Sequence, residues 1–204
     1  FALSTFYFAT NGDDWVRCGR DSKKCDLSQE WLTEENECNW YAIECDEDGD
    51  VNKIFFRNPV VAVFESGGYS NRSRTHTHLL QLAANGESSN NIRGMLPFEL
   101  SFLSKLAVFI IARGPMSGPF PDWSKLSTLE QVLLNDNDFE GPFPTYLLSN
   151  NPLMGTIQFN RNSFEGPFLH DLLSVDSTLG VTNIDVNGNN LTGSIPSQIN
   201  KFSA

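Results

Sequence analysis

Basic residues are scarce in this chain. Its 14 Lys and Arg are outnumbered by 25 Asp and Glu, which gives a formal net charge of −11. Proteins that bind nucleic acid hold the phosphates with clustered Lys and Arg, so we predict no nucleic-acid partner. The chain also lacks an uninterrupted apolar run of the roughly 18 residues that a transmembrane helix needs. Residues 1–6 lack the basic region of a signal peptide, and we interpret them as a processed or trimmed N-terminus.

Residue patterns typical of catalysis are also lacking. The histidines are limited to His76, His78 and His170, and the pair His76/His78 has no third ligand at metal-binding spacing. Neither a G-x-S-x-G nucleophile motif nor a phosphate-binding loop occurs. Carboxylate pairs of the glycosidase type are defined by their distance in space, so only the repeat pattern described below argues against them. We predict that the protein is not an enzyme and uses no metal or cofactor.

Cysteine is confined to the first 45 residues, at Cys18, Cys25, Cys38 and Cys45. Two interpretations compete. Zinc sites usually contain cysteine pairs that are two to four residues apart, and the spacing here is wider. An even number of cysteines within one segment of a secreted chain favours disulfides. Of the three possible pairings we predict Cys18–Cys25 and Cys38–Cys45, because each closes a short loop.

In contrast, one short pattern recurs four times between residues 106 and 196. Each copy has apolar residues at fixed positions of a short strand, then a turn, and then a glycine. These glycines are Gly118, Gly141, Gly166 and Gly193. The pattern is L-x-x-L-x-L-x-x-N-x-L, that of leucine-rich repeats, and its spacing lies within their usual period of about 20–29 residues. One repeat cannot enclose its own apolar side chains, so neighbouring repeats must stack and share a core.

The turn after each strand carries Asn137, Asn162 or Asn189, and Gly114 in the first copy. An inward-pointing amide can bond the backbone groups that are left unpaired as the chain bends. We therefore predict a hydrogen-bonded asparagine ladder between successive turns, interrupted at Gly114. Asn135, two residues before Asn137, is predicted to face solvent.

Three of the four copies continue with x-G-x-(F/I)-P, and the third has Leu169 in place of the proline. Asn-Asn-Leu-Thr-Gly-Ser-Ile-Pro at 189–196 resembles the consensus of the plant-type extracellular leucine-rich repeat. Residues 38–45 resemble that family's N-terminal cap signature, C-x-W-x-G-V-x-C, with Ala42 replacing the usual glycine. We expect this replacement only to crowd the backbone slightly. The resemblance implies an α/β repeat fold, a leucine-rich repeat solenoid with a parallel sheet on its concave inner face and a helical, disulfide-bonded N-terminal cap. Family members are mostly binding modules in receptor ectodomains, co-receptors and secreted inhibitors of wall-degrading enzymes.

We divide the chain into an N-terminal cap, residues 1–50, and about six repeats, residues 51–204. The repeats are expected to continue beyond residue 204, because the chain stops where another strand is due. Within the cap, residues 1–10 predict an amphipathic helix that a C-terminal glycine, Gly12, stops. Trp15 and Trp31 are predicted to anchor the irregular stretch that follows.

The acidic residues 46–50 could be interpreted as a calcium-binding loop. An EF-hand loop needs a Glu where Arg57 stands, so we interpret the segment as a hairpin turn that leads into a strand beginning at Val51.

Two stretches do not fit the repeat, residues 57–77 and residues 86–90 in the following repeat. Such loops often carry function, and they also occur as tolerated surface loops without a role. Asn71 and Asn190 begin N-glycosylation sequons, and we predict both as exposed glycan sites. The sequons and cysteines together favour a secreted or extracellular location.

Strand residues that alternate with core positions should line the inner face. Its predicted central column is Phe55, Gln81, Ile110, Leu133, Gln158 and Asp185, and a parallel column is Ala84, Arg113, Asp136, Arg161 and Gly188. Apolar residues exposed together often mark contact sites, so we predict a ligand site at Ile110, Leu133, Arg113, Asp136, Arg161, Gln158 and Asp185. We expect Leu133→Asp to abolish binding without changing thermal unfolding. The alternative is a solvated charge ladder in which Arg and Asp satisfy one another.

Three functions fit these patterns. The first is a non-catalytic recognition module of a secreted or cell-surface receptor-like protein, binding a protein, peptide or glycan. The second is a structural or adhesive spacer in an extracellular matrix or cell wall, and the third is an inhibitor of a secreted glycan-degrading enzyme. A membrane helix and kinase after this segment would favour the first, and long Ser/Thr/Pro-rich tracts the second.

Overall fold

The computed structural model describes residues 1–20, 22, 24, 25, 29–56, 90–168 and 181–194. These residues form the strands β1 (Ile43–Cys45), β2 (Val51–Phe56), β3 (Val108–Ile111), β4 (Ser117–Pro119), β5 (Gln131–Leu133), β6 (Asp138–Pro142), β7 (Thr156–Gln158), β8 (Ser163–Pro167), β9 (Asn183–Asp185) and β10 (Asn190–Thr192). They also form helix α1 (Ala2–Ala9), a helical turn α2 (Tyr146–Ser149), and 3₁₀ turns at Gly12–Asp14, Glu37–Asn39 and Phe98–Phe102.

The strands build two sheets that share one hydrophobic core. The first has the order β1-β2-β3-β5-β7-β9 and is parallel except for the antiparallel pair β1–β2. The second is parallel with the order β10-β8-β6-β4, and a bridge from Gly94 to Met116 extends it. Each unit from β3 onward passes from a strand of the first sheet into a strand of the second. This alternation confirms the predicted parallel sheet.

Aromatic rings fill the core beneath α1. Trp15 and Trp31 are both buried and their ring centroids lie 5.0 Å apart, while Phe6 lies within 6.0 Å of each. Both tryptophans therefore anchor this segment, as predicted. The two predicted disulfides are also confirmed, with Cα–Cα distances of 4.6 Å for Cys18–Cys25 and 5.5 Å for Cys38–Cys45.

Helix α1 confirms the helix predicted over residues 1–10, but the predicted role of Gly12 is wrong. The residue with left-handed backbone is Asn11, whose φ is 56° and whose side chain donates a 2.7 Å hydrogen bond to Asp14. Gly12 is instead buried against Tyr7, where a Cβ atom would overlap the tyrosine ring. Close packing, rather than helix termination, therefore requires glycine at this position.

Residues 46–50 form the predicted hairpin turn between β1 and β2. The Asp46 carboxylate accepts backbone N–H bonds from Asp48 and Asp50, at 3.1 and 2.9 Å. An aspartate that bonds the backbone two and four residues ahead stabilises a tight turn without an ion.

The structure corrects the predicted arrangement around β2. Strand β2 pairs directly with β3, with Phe55 opposite Ile110, so the predicted place of Gln81 between them is wrong. Residues 57–89, which include Asn71, His76, His78, Gln81 and Ala84, lie outside the described residues, as does His170. Beyond them, the buried Ile92 and Leu96 flank Gly94, which bridges to the second sheet. Among the described residues, β3 therefore follows β2 directly in the first sheet, and residues 90–97 supply the neighbour of β4 in the second.

Asn90, which the sequence pattern had placed in an insertion, is a structural residue. Its side-chain oxygen accepts the N–H of Arg17 at 2.6 Å, and its side-chain nitrogen donates to the Arg17 carbonyl at 3.0 Å. It stands two residues before the buried Ile92, just as Asn137 stands two residues before the buried Phe139. Asn90 therefore ties the N-terminal segment to the repeats.

Ala42 was expected only to crowd the backbone slightly, but it also destabilises the fold through its left-handed backbone, with φ at 67°. A left-handed backbone costs a residue with a Cβ about 1–2 kcal/mol, part of which glycine loses again through its greater freedom in the unfolded chain. We expect Ala42→Gly to raise the free energy of unfolding by about 0.5–1 kcal/mol. The control is Ala9→Gly in α1, which should lower it by a similar amount. Urea denaturation of both variants checks this, and a loss of stability in Ala42→Gly would contradict it.

Candidate functional site on the inner face

The asparagine ladder fixes the turns that follow the strands of the first sheet. The Asn137 side chain donates to the carbonyls of Ile111 and Leu134, at 3.0 and 2.9 Å, and accepts the N–H of Met116 at 3.3 Å. Asn162 and Asn189 repeat this pattern, each one bonding the preceding repeat and its own. The ladder is therefore confirmed, and its first rung lacks a side chain because Gly114 stands there.

We call the side of the first sheet that faces away from the core the inner face. Its central row is Phe55, Ile110, Leu133, Gln158 and Asp185, which are paired across successive strands. An edge row, Arg113, Asp136, Arg161 and Gly188, immediately precedes the ladder positions. All four edge residues are left-handed, with φ between 55° and 66°. Because the backbone repeats, the side chains of Arg113, Asp136 and Arg161 leave their turns in a similar direction.

The predicted exposure of Ile110 and Leu133 is wrong. Each side chain is only 5% exposed, although neither belongs to the hydrophobic core on the other side of the sheet. Adjacent strands lie about 4.8 Å apart, so side chains of one row pack against each other and lose most of their contact with water. The two residues therefore hold the inner face together instead of projecting from it.

Asn135 was predicted to face solvent, and this is also wrong, because it is 5% exposed. Its side-chain nitrogen donates to the Asp136 carboxylate at 2.7 Å. Its side-chain oxygen is buried and has no hydrogen-bond partner within the described residues. This oxygen is an unsatisfied acceptor in the middle of the inner face.

The edge row contains an ionic cluster centred on Asp136. Arg161 donates to its carboxylate at 3.0 Å, and the Arg113 guanidinium lies 3.9 Å away. Partial desolvation raises the pKa of Asp136, but the hydrogen bonds from Asn135 and Arg161 and the two guanidinium charges outweigh it, so the pKa lies below its ordinary value. Arg113, Asp136 and Arg161 thus come together as predicted and largely satisfy one another.

Because the pKa of Asp136 is depressed in the folded state, the ionised carboxylate stabilises the fold fully at a pH above its unfolded pKa of about 3.9. This stabilisation is lost as the pH falls through the lower pKa of Asp136 in the folded state. We expect Asp136→Asn, which keeps a residue that tolerates left-handed backbone, to cost about 1 kcal/mol at pH 7, since Arg161 is largely exposed and screened. The difference from wild type should narrow below about pH 4. Urea unfolding of the variant and of wild type, at pH 7 and at pH 3, measures this difference in stability.

The control for this variant is Asp138→Asn, at an exposed position outside the cluster, which should change stability by less than about 0.5 kcal/mol. A difference between Asp136→Asn and wild type that stays constant from pH 7 to pH 3 would contradict the assigned role of the carboxylate.

Polar side chains on β5, β7 and β9, and on Asn160 just after β7, lack hydrogen-bond partners. No side-chain hydrogen bond to another described residue is made by Gln131, Thr156, Gln158, Asn160 and Asn183. Thr156 is only 4% exposed, whereas the four amides are half-buried and accessible. Asp185, in contrast, accepts bonds from the backbone and side chain of Asn187, at 3.2 and 2.6 Å. Of the polar residues in this region, only Gln158 and Asp185 were predicted from the sequence. The others lie two residues before or after the central row, so the two-residue period of a strand would have revealed them.

Other predicted sites are only partly placed by the structure. Asn190 and Thr192 are exposed on β10, so the side chain of this sequon is accessible as predicted. Within the described ranges no three His, Cys, Asp or Glu residues are grouped so as to hold a metal ion. No helix in the same ranges is both long and apolar enough to cross a membrane.

No protein-family model matches the chain. Among solved structures it is similar to a chain of the BIR3–SERK2 complex from Arabidopsis thaliana, at 15% identity, 98% coverage of this chain, 87% of that chain and a TM-score of 0.63. The BIR2 ectodomain from Arabidopsis thaliana matches at 15% identity with a TM-score of 0.62, and the match covers 96% of this chain and 82% of that one. A plant ice-binding protein matches at 18% identity with a TM-score of 0.67, and the match covers 98% of this chain and 51% of that one. At these identities the likeness concerns the fold, and the chain resembles the leucine-rich repeat ectodomains of plant receptors.

Proposed function

We propose that the protein is a non-catalytic recognition module of a secreted or cell-surface, receptor-like protein, and that it binds its partner on the inner face. In this proposal the repeats form a solenoid, and residues 1–50 cap its first apolar end. The observation that carries the proposal is the set of half-buried amides without hydrogen-bond partners among the described residues, Gln131, Gln158, Asn160 and Asn183. The sheet and the ladder fix their backbone, so binding has to order only the side chains themselves.

Two further observations support this role. Disulfides such as Cys18–Cys25 and Cys38–Cys45 persist in oxidising compartments, which fits an extracellular location. One similar chain was solved as part of the BIR3–SERK2 complex, so this fold serves in an assembly of two proteins. Function in repeat proteins resides in surface side chains, which differ between chains of one fold, so the ligand must be sought in this chain's own residues.

The test compares wild type with Gln158→Arg, which places a bulky cation on the inner face, and with Ser163→Arg. Ser163 is exposed on β8, in the same repeat but on the second sheet, and is the matched control. Each protein is immobilised and exposed to the secreted and cell-surface fraction of the source organism, and the retained components are quantified. We expect at least one component to fall about tenfold with Gln158→Arg and to be unchanged with Ser163→Arg. Equal retention by all three proteins would refute recognition on the inner face and favour the spacer function.

A further inference from the structure

We propose that the ligand of the inner face is a neutral oligosaccharide, held by side-chain amides on β5, β7 and β9 and just after β5 and β7. This inference rests on the proposed function, because it names the ligand class of the same face. We call the residues concerned the amide cluster: Gln131, Asn135, Gln158, Asn160 and Asn183.

The apolar residues of the inner face are unsuited to anchoring a protein. Binding energy at protein interfaces is concentrated in apolar and aromatic anchors that fit into pockets of the partner. Ile110 and Leu133 are 95% buried within this chain, so little of their surface is left for a partner to cover. A ligand that binds mainly through hydrogen bonds does not need such anchors.

The amide cluster offers what a polyhydroxylated chain requires. Each side-chain amide has two N–H donors and a carbonyl acceptor, and a sugar hydroxyl likewise both donates and accepts. Gln158 lies beside Leu133 in the paired strands β5 and β7, and Asn183 lies opposite Thr156 on β9. The cluster thus spans three strands spaced about 4.8 Å apart, and its amides can bond successive hydroxyls of one extended ligand.

Asn135 supplies an independent indication of a ligand. Its side-chain nitrogen is committed to Asp136, so the orientation of the amide is set and the oxygen remains the unsatisfied group. Rotating the amide would direct this oxygen at the carboxylate. A buried acceptor without a donor is unfavourable, and a hydroxyl that reached it would relieve that cost.

Charge decides between neutral and acidic sugars. The two arginines near the cluster, Arg113 and Arg161, share the Asp136 carboxylate, and Asp185 adds a negative charge on β9. The whole chain carries a net charge of −11. These two arginines and two aspartates sum to zero charge. Uronates and sulfated sugars would therefore gain no net attraction at the cluster and would be repelled by the negative charge of the whole chain, so the ligand is uncharged.

The test uses defined probes and the side-chain NH₂ signals of the protein in NMR titrations. The neutral probes are hexasaccharides of β-1,3-glucan, β-1,4-glucan, mannan and xylan. A hexagalacturonate tests charge, and the peptide (Gly-Ser)₃ tests recognition of a peptide backbone. We expect at least one neutral hexasaccharide to shift the signals of Gln158, Asn160 and Asn183, and to bind about tenfold more weakly to the double variant Gln158→Ala/Asn160→Ala. Ser163→Ala should bind like wild type.

The proposal is overturned if no neutral hexasaccharide shifts these signals, or if the hexagalacturonate or the peptide shifts them at lower concentration. It is equally overturned if the double variant binds the sugar like wild type. A partner that depends on Gln158 in the retention experiment, together with no sugar binding here, would leave the proposed function standing and remove only the oligosaccharide.

Discussion

Leu133→Asp will lower the free energy of unfolding by about 3 kcal/mol or more. Burying a leucine side chain contributes about 1.5–3 kcal/mol, and Leu133 is only 5% exposed. The aspartate adds the cost of removing a carboxylate from water, and nearby Asp185 adds a negative charge on the same face. Thermal and urea unfolding of the purified variant measure the loss.

The matched control is Leu153→Asp. Leu153 is 59% exposed, so the same chemical change there should alter stability by less than about 0.5 kcal/mol. If the two variants unfold alike, the central row is more open than the structure has it, and Leu133 returns as a candidate contact residue. The expected instability also makes Leu133→Asp unsuitable for testing ligand binding, so Gln158→Arg takes that place.

Asn162→Ala will lower the free energy of unfolding by about 1–3 kcal/mol. The side chain of Asn162 donates to the carbonyls of Leu134 and Phe159, at 2.9 and 3.1 Å, and accepts the N–H of Phe139 at 3.0 Å. Alanine cannot replace any of these bonds, and the backbone groups concerned lie in a buried turn. The loss should appear as a lower urea midpoint with an unchanged slope, because the same surface is exposed on unfolding.

Asn160→Ala is the control for this prediction, since it removes the same amide two residues earlier. The Asn160 side chain makes no hydrogen bond to another described residue and points to the inner face, so the change should stay within about 0.5 kcal/mol. Equal losses at positions 160 and 162 would show that the ladder amide contributes no more than an amide without side-chain hydrogen bonds.

The asparagine ladder, the two disulfides and the parallel strands were all predictable from the sequence. Each depends on spacing along the chain. The ladder asparagines recur at the same distance from the strand they follow, and the cysteines of each pair close a loop within one segment. Local rules of this kind carry over directly to three dimensions, because a repeat places equivalent residues in equivalent positions.

The burial of Ile110, Leu133 and Asn135 could not be read from the sequence. Alternation along a strand tells which side of the sheet a residue faces, but the exposure on that side depends on how closely neighbouring rows pack. The neighbour of β2 could not be read from the sequence either. The order of the repeat pattern placed Gln81 beside β2, whereas β2 forms its parallel hydrogen bonds with β3.

The chain's own spacing therefore determined its repeats, its disulfides and the composition of its inner face. Tertiary structure alone decided that Asn11 rather than Gly12 adopts the left-handed backbone, and that Asn90 joins the N-terminal segment to the repeats. It also decided that the free polar groups lie on β5, β7 and β9 while the arginines are paired with Asp136. The physical reason is that these outcomes depend on which side chains meet in space, from Gly12 against Tyr7 to Asn90 against Arg17, and close packing rather than the residue pattern sets those distances.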